Sequence, residues 1–420
     1  MQSSIKLDRT LVAINVDGVI HLMLELTAPQ AIAAERAPID AVVVLDRSGS
    51  MGGAPIHAVR EATCNLLRLL GPDDRLGVVA FDDEAELVLS LTTHDLDAAC
   101  SAVRRIDARD STNLSGGWLK GFEMLTNGTR PDALRRLIVL TDGHANAGIT
   151  DHEQLCTMTR AANEQGVTTT TVGFDDGYDE VLLAAIADAG AGNNYWCAGP
   201  DQAPQVFAAE FAGLASVVAQ NISVEIRPVA GVEIAVLNEY PISVVPGGMQ
   251  VALGDAYGGE RRRVVATLNI PAPDAVGVVN LGELIVRWAS TVGDVSLHTV
   301  TIPLAVNASD DPDTDQAPDQ EVTEQVNVLR AAQLRKDAHG RLLHGDTDGA
   351  KRSMRKAIIV LGSMGTQPAE LRQAELDLDE LERGAWTASS SKRLHAMTRT
   401  TQKGRRSSFD QHDPPTEDQS

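Results

Sequence analysis

No apolar run in this chain approaches the ~20 residues that a membrane-crossing helix needs, so no membrane-spanning helix is expected. The first residues, Met1 to Arg9, lack a basic region followed by an apolar core and a small-residue cleavage site, so a cytoplasmic location is the expectation. Positive charge is scarce: 36 Lys and Arg face 58 Asp and Glu, for a net charge of −22 and a pI near 4.8. A body so acidic repels phosphate backbones and anionic bilayers, so no nucleic-acid partner is expected. Cysteine is limited to Cys64, Cys100, Cys156 and Cys197, widely spaced and without a CxxC pair. That spacing argues against a disulfide framework and for buried free thiols. The chain also has no HExxH, no GxxxxGK[ST] and no GxSxG, the signatures of a zinc protease, a phosphate-cradling loop and a hydrolase nucleophile elbow.

What is present is a chain of 420 residues with 43% hydrophobic content, enough for two or three folded units. The stretch around which the rest is arranged is Ala41-Val42-Val43-Val44-Leu45-Asp46-Arg47-Ser48-Gly49-Ser50-Met51. Its first half is continuously apolar, as in a strand buried on both faces. It stops in an Asp-x-Ser-x-Ser turn, and a helix-compatible segment runs from Ala54 to Leu70. One carboxylate and two hydroxyls delivered to the carboxyl end of a strand suit a small hard cation such as Mg2+. Two further stretches follow in order. Ser111-Thr112-Asn113-Leu114-Ser115-Gly116-Gly117 precedes a helical pattern, and Leu137-Ile138-Val139-Leu140-Thr141-Asp142-Gly143 is a second buried strand ending in a carboxylate. Each alone also reads as an ordinary helix cap or turn.

Together the three resemble the metal-ion-dependent adhesion site of von Willebrand factor type A domains. The resemblance implies that residues at Ser48 and Ser50 coordinate the metal directly. Thr112 would do so at least when a ligand is bound, and Asp46 and Asp142 directly or through water. It spans the whole βα-alternating segment, including Phe81-Asp82-Asp83-Glu84-Ala85 and Val172-Gly173-Phe174-Asp175-Asp176. The two Asp doublets read as loop or helix-entry acids. Arg47 and Met51 hold non-ligand positions, and Arg47 either shapes partner choice or is simply exposed.

The fold expected is a doubly wound, mostly parallel α/β sheet, inserted in or followed by a β-sandwich, with a C-terminal helical segment. Residues 1–37 read as a β-hairpin, Thr10–Val16 and Val19–Leu26 around Asp17-Gly18, that completes the sandwich. The metal-binding domain is expected over 38–221 and the sandwich over 222–306, from short β-runs between Gly and Pro turns. An acidic linker follows at 307–320; its spaced Asp residues lack the central Gly and closing Glu of a calcium loop. Two helices flank His344-Gly345-Asp346 and a third follows Pro368, giving a helical segment over 321–386. The Ser/Thr-rich basic tail over 387–420 is expected to be disordered.

Three neutral hydroxyls with two carboxylates leave a divalent ion with a vacancy and unquenched charge. A partner's Asp or Glu could complete its coordination. The expectation is therefore a non-enzymatic protein-interaction module using Mg2+, with Mn2+ or Ca2+ as alternatives. A second reading is an assembly or maturation factor acting with an ATPase. A third is a metal-dependent hydrolase with His144 as general base, the weakest because a His in a crevice-side loop is more often a surface or rim residue.

Overall fold

β4 (Ile39–Asp46) is buried at every position and forms the middle of the molecule's central sheet. The computed structural model describes residues 1–420 except 32–35, 110, 129, 131, 292–295, 311–316, 365–368 and 405–420. β4 is flanked on one side by β5 (Arg75–Phe81) and then β6 (Ala85–Thr92). On the other side lie β7 (Leu134–Thr141), β8 (Val167–Phe174) and β9 (Ala191–Cys197). All pairings are parallel except that of the edge strand β6. Strand order therefore reverses on the two sides of β4, which opens a crevice beyond the carboxyl ends of β4 and β7.

Helices cover both faces. α1 (Ala54–Leu69), α2 (Leu96–Val103) and α6 (Ala203–Leu214) pack on Val43, Leu45, Val78 and Ala80. α3 (Leu114–Asn127), α4 (His152–Glu164) and α5 (Glu180–Ala189) pack on Val42, Val44, Val79 and Val139. α3 lies unusually close to the sheet. A Cβ on Gly117 would stand 2.6 Å from the Phe81 ring and one on Gly121 2.5 Å from Leu137, so only glycine permits this seat.

The β-sandwich has two sheets. One holds β1 (Gln2–Leu7), β3 (Gly18–Thr27), β14 (Arg261–Ile270) and β11 (Glu233–Val236), in the order β1-β3-β14-β11. The other holds β12 (Ile242–Val245), β13 (Gly248–Tyr257), β10 (Val217–Pro228), β15 (Gly277–Ser290), β16 (Ser296–Ser309) and β2 (Leu11–Ala13), in that order. The two sheets share a core that includes Leu22, Leu24, Leu26, Val224, Ile226, Val264 and Leu284. The chain enters this sandwich, leaves it for the α/β sheet, and returns.

Three expectations need correction. The N-terminal runs do not pair as a hairpin: β2 joins β16 in parallel, while β3 lies antiparallel to β1 and to β14. The loop between them crosses from one sheet to the other, held by Ile14 N–H on Ser309 O, Asn15 N–H on Pro273 O and Ala272 N–H on the Asp17 carboxylate. A long ladder with β14, with Leu22, Leu24 and Leu26 facing the core, outweighs a local two-residue turn. The sandwich also begins at Val217, inside the span expected for the metal-binding domain. α6 ends at Leu214, with the Ala215 and Ser216 N–H groups closing its last turn. The same boundary error recurs at the sandwich's other end, where Asn307–Ser309 of the expected linker belong to β16; residues 311–316 lie outside the described residues.

The third correction concerns the basic tail. After α7 (Gln320–Leu343), α8 (Thr347–Gly362) and α9 (Ala369–Glu382), it forms a fourth helix, α10 (Ala388–Gln402). Thr387 and Ser390 cap it reciprocally. Lys392, Arg393 and Arg399 pair with Glu180, Asp377, Glu380 and Asp188, so its positive charge is spent on docking rather than left in water. Arg405 and Arg406 lie outside the described residues. Val322, Val326 and Leu329 of α7 cover Met23 and Val265 on the outer face of the four-stranded sheet. All four cysteines are free, and no described helix is long and apolar enough to cross a membrane.

Candidate metal site

The crevice at the end of β4 is built by a turn that folds back on its own carboxylate. Asp46 Oδ1 accepts the Ser48 N–H at 2.7 Å, and Asp46 Oδ2 accepts the Thr141 hydroxyl from the end of β7. Gly49–Met51 make one 3-10 turn, and Met51, fully buried, anchors it in the core. The chain then passes Gly53, at φ +84°, into α1. This places the Ser48 and Ser50 hydroxyls 3.2 Å apart, both aimed at Asp142. Ser50 Oγ donates to Asp142 Oδ1 at 2.8 Å and Ser48 Oγ to the same oxygen at 3.4 Å.

Thr112 enters from the turn before α3. Its hydroxyl stands 3.5 Å from where a Cβ on Gly143 would be, beside the Asp142 loop, and the residue is buried. Asn146 holds it there. Asn146 Oδ1 accepts the Thr112 N–H at 3.0 Å, and the Asn146 N–H donates to Thr112 O at 3.2 Å. Nearby, Ile149 N–H donates to Ser115 Oγ at 2.9 Å, and Gly148, at φ +70°, lies against Asn113 and Ser115 where a side chain would collide. Asn146 was not singled out by the sequence. Its only signal is an Asn in a Gly-containing loop, and it acts on a backbone 34 positions away.

The structure therefore brings Asp46, Ser48, Ser50 and Asp142 into one hydrogen-bonded cluster, with Thr112 at its edge. Both carboxylates are buried, and among the described residues neither has an ion-pair partner. Burial pushes the Asp46 carboxyl up to about 6, against hydrogen bonds from Thr141 and Ser48, and the Asp142 charge pushes it the same way. The Asp142 carboxyl is likewise raised by burial, opposed by Ser50 and reinforced by Asp175. Two buried carboxylates with converging hydroxyls, and no cationic side chain paired with them among the described residues, form a donor set of the kind a divalent ion neutralises. These residues fit a small hard cation.

Arg47 is neither exposed nor free to meet a partner. It is 4% exposed, with Nε on Asp82 Oδ2 at 2.8 Å and Nη1 on Glu86 at 2.7 Å. Its carbonyl accepts the Arg109 N–H, and Asp82 O accepts the Asn113 N–H at 2.8 Å. Arg47 and Asp82 thus fasten the first loop to the one carrying Thr112. His144 is 69% exposed and faces Asp179 at 3.9 Å.

Comparison with known proteins agrees with this architecture. An uncharacterised protein of the cyanobacterium Synechocystis is 27% identical over 343 residues, 77% of this chain and 78% of that one. Among solved structures, a von Willebrand factor type A protein from Catenulispora acidiphila aligns over 96% of this chain and 97% of its own. The TM-score is 0.73 at 17% identity, a likeness of fold. The ArnB paralog VWA2 from Sulfolobus acidocaldarius aligns over the same shares with a TM-score of 0.62 at 17% identity. Domains of this kind mediate protein–protein interaction. The family match itself covers residues 40–208, which are a von Willebrand factor type A domain.

Proposed function

We propose that this protein is a divalent-metal-dependent protein-interaction module whose function is binding rather than catalysis. Asp46, Ser48, Ser50, Thr112 and Asp142 would hold Mg2+, with Mn2+ or Ca2+ as alternatives, and a partner protein's Asp or Glu would complete the coordination. The observation that supports this reading is the pair of buried carboxylates, hydrogen-bonded to hydroxyls and without a cationic partner among the described residues. When bound, the ion supplies an electrophilic position that an incoming carboxylate can fill. The chain's own residues set what surrounds that position. Asn146 and Arg47 fix the loops, and the exposed Arg109 and His144 lie near them. Binding of ion and acid would be cooperative, each favouring the other.

The test is affinity capture from native extract with Mg2+ present, repeated with EDTA and with Asp46→Ala and Thr112→Ala. Capture lost in all three, with circular dichroism unchanged, supports the reading. Capture that persists in EDTA refutes it.

A further inference from the structure

α10 packs against α7, and its side chains reach across to α5 and the loop before it at both ends. Near its start, Ser389 Oγ donates to Asp176, and Lys392, 4% exposed, reaches back to the same loop. Lys392 Nζ donates to Tyr178 O at 2.8 Å and to Glu180 Oε2 at 2.8 Å, and stands 3.9 Å over the Tyr178 ring. At the far end, Arg399 Nη1 meets Asp188 at 2.7 Å, its Nη2 meets Ala184 O at 3.1 Å, and Lys403 joins the same carboxylate.

The loop that Lys392 grips, residues 175–179, packs against the backbone of the loop that carries Asp142. Gly177 lies against the Asp142 backbone so closely that a Cβ there would be 2.7 Å from Asp142 O. Tyr178 in turn lies over Gly173, where a Cβ would be 2.2 Å from its ring. Asp175, at φ +59°, is tied by its N–H to Cys197 O at 2.8 Å. A continuous series of contacts therefore runs from Lys392 through Tyr178 and Gly177 to the backbone of Asp142.

We propose that Lys392 is a positioning residue for the metal site, so that a helix more than 200 residues from Asp142 in sequence sets the site's affinity. The inference rests on the metal-binding reading of the crevice. The physical reason is preorganisation. With Lys392 in place, Tyr178 and Gly177 cannot swing away, and the Asp142 loop is ordered before the ion arrives. Without it, ordering that loop is subtracted from the binding free energy. Groups that orient ligands from one shell out typically change metal affinity 10- to 100-fold, and Lys392 acts one step further away, so about three- to tenfold is expected.

The experiment is calorimetric titration of Mg2+ into the metal-stripped full chain, paired with hydrogen exchange of residues 173–180 in the metal-free protein. Lys392→Met should weaken Mg2+ binding about three- to tenfold and speed exchange at Gly177 and Tyr178. Ser389→Ala, a milder change on the same loop, should shift both in the same direction by a smaller factor and keeps the question open to test should Lys392→Met fail to fold. Asp188→Asn loosens the far end of α10 without touching the loop, and should leave Mg2+ affinity within about twofold. Wild-type affinity in Lys392→Met, or an equal loss in Asp188→Asn, overturns the proposal. If the wild-type chain takes up no divalent ion, the metal reading itself fails, and the exchange data then report separately whether Lys392 holds the loop.

Discussion

Lowering the pH from 7 to 5 should loosen α10, and the group responsible is His395. Its ring stacks on that of His339 from α7, with centroids 5.1 Å apart and planes 8° from parallel. Burial lowers its pKa from 6.5 to about 4, helped by His339, Arg399 and Lys336 and opposed by Glu180. The docked helix thus keeps His395 neutral, while a detached helix would take up a proton near pH 6.5. A histidine with a depressed pKa contributes stability above its unfolded value and loses it as pH falls toward its folded one. The full loss between pH 6.5 and 4 is about 3 kcal/mol, at 1.36 kcal/mol per unit, and about 2 kcal/mol of it has appeared by pH 5. The carboxylates at the same interface do not mimic this. Burial opposes ionisation of Glu180 and Asp188, but Lys392 and His339 for the first and Lys403 and Arg399 for the second hold both below their ordinary values of 4.5 and 3.8. Their contribution is lost only below that range, so neither carboxylate accounts for a loss between 6.5 and 4.5, and His395→Gln isolates the part due to His395. Hydrogen exchange of α10 amides measured across this window, in the wild type and in His395→Gln, is the assay. A flat wild-type profile, or the same slope in His395→Gln, would refute the reasoning.

Four further outcomes are expected. Mg2+ at about a hundred times its dissociation constant should stabilise the wild-type chain by about 2.7 kcal/mol in a urea titration, and do nothing for Asp46→Ala. Asn146→Ala should weaken Mg2+ binding about tenfold, and a double-mutant cycle with Thr112→Ala should show the losses to be non-additive. Additive losses would mean that Asn146 does not act through Thr112. Gly177→Ala puts a methyl group 2.7 Å from Asp142 O and should cost about 1–3 kcal/mol while weakening Mg2+ uptake, read by melting and calorimetry on one sample. Arg47→Met leaves the buried Asp82 with only the Glu84 N–H and the more distant Arg109, 3.7 Å away, and should destabilise the α/β sheet by about 1–3 kcal/mol, visible as an early unfolding transition.

The parts of this structure legible in the sequence are those whose cause is local. β4 and β7 announce themselves as apolar runs closed by a carboxylate. Ser48, Ser50 and Thr112 stand in turns whose chemistry is set within a few residues. Where the sequence misleads, a distant partner overrides a local signal. Asp17-Gly18 is a good hairpin turn, yet β3 finds a longer ladder in β14, and β2 is taken by the other sheet. The composition from Thr387 onward reads as solvated because its acids are elsewhere, on α5 and α9. Arg47 reads as partner-facing or simply exposed because Asp82 and Glu86, which bind it in the fold, are more than 30 positions away. Asn146 and Lys392 escape notice for a related reason: both act on backbone groups, which have no signature of their own.

The return of the chain to its first sheet has a consequence for synthesis. Thr27 pairs with Arg261 and Gly18 with Ile270, so β3 must wait for at least 261 − 27 = 234 further residues before its neighbour exists. At a translation rate of about 5–20 residues per second, that is roughly 12–50 seconds on the ribosome. Throughout, a strand bearing Leu22, Leu24 and Leu26 can find only β1 beside it. The α/β sheet is complete well before this gap closes, so nascent chains arrested between the two events should display a finished domain and a sticky leading strand. They are the species most in need of a holding chaperone.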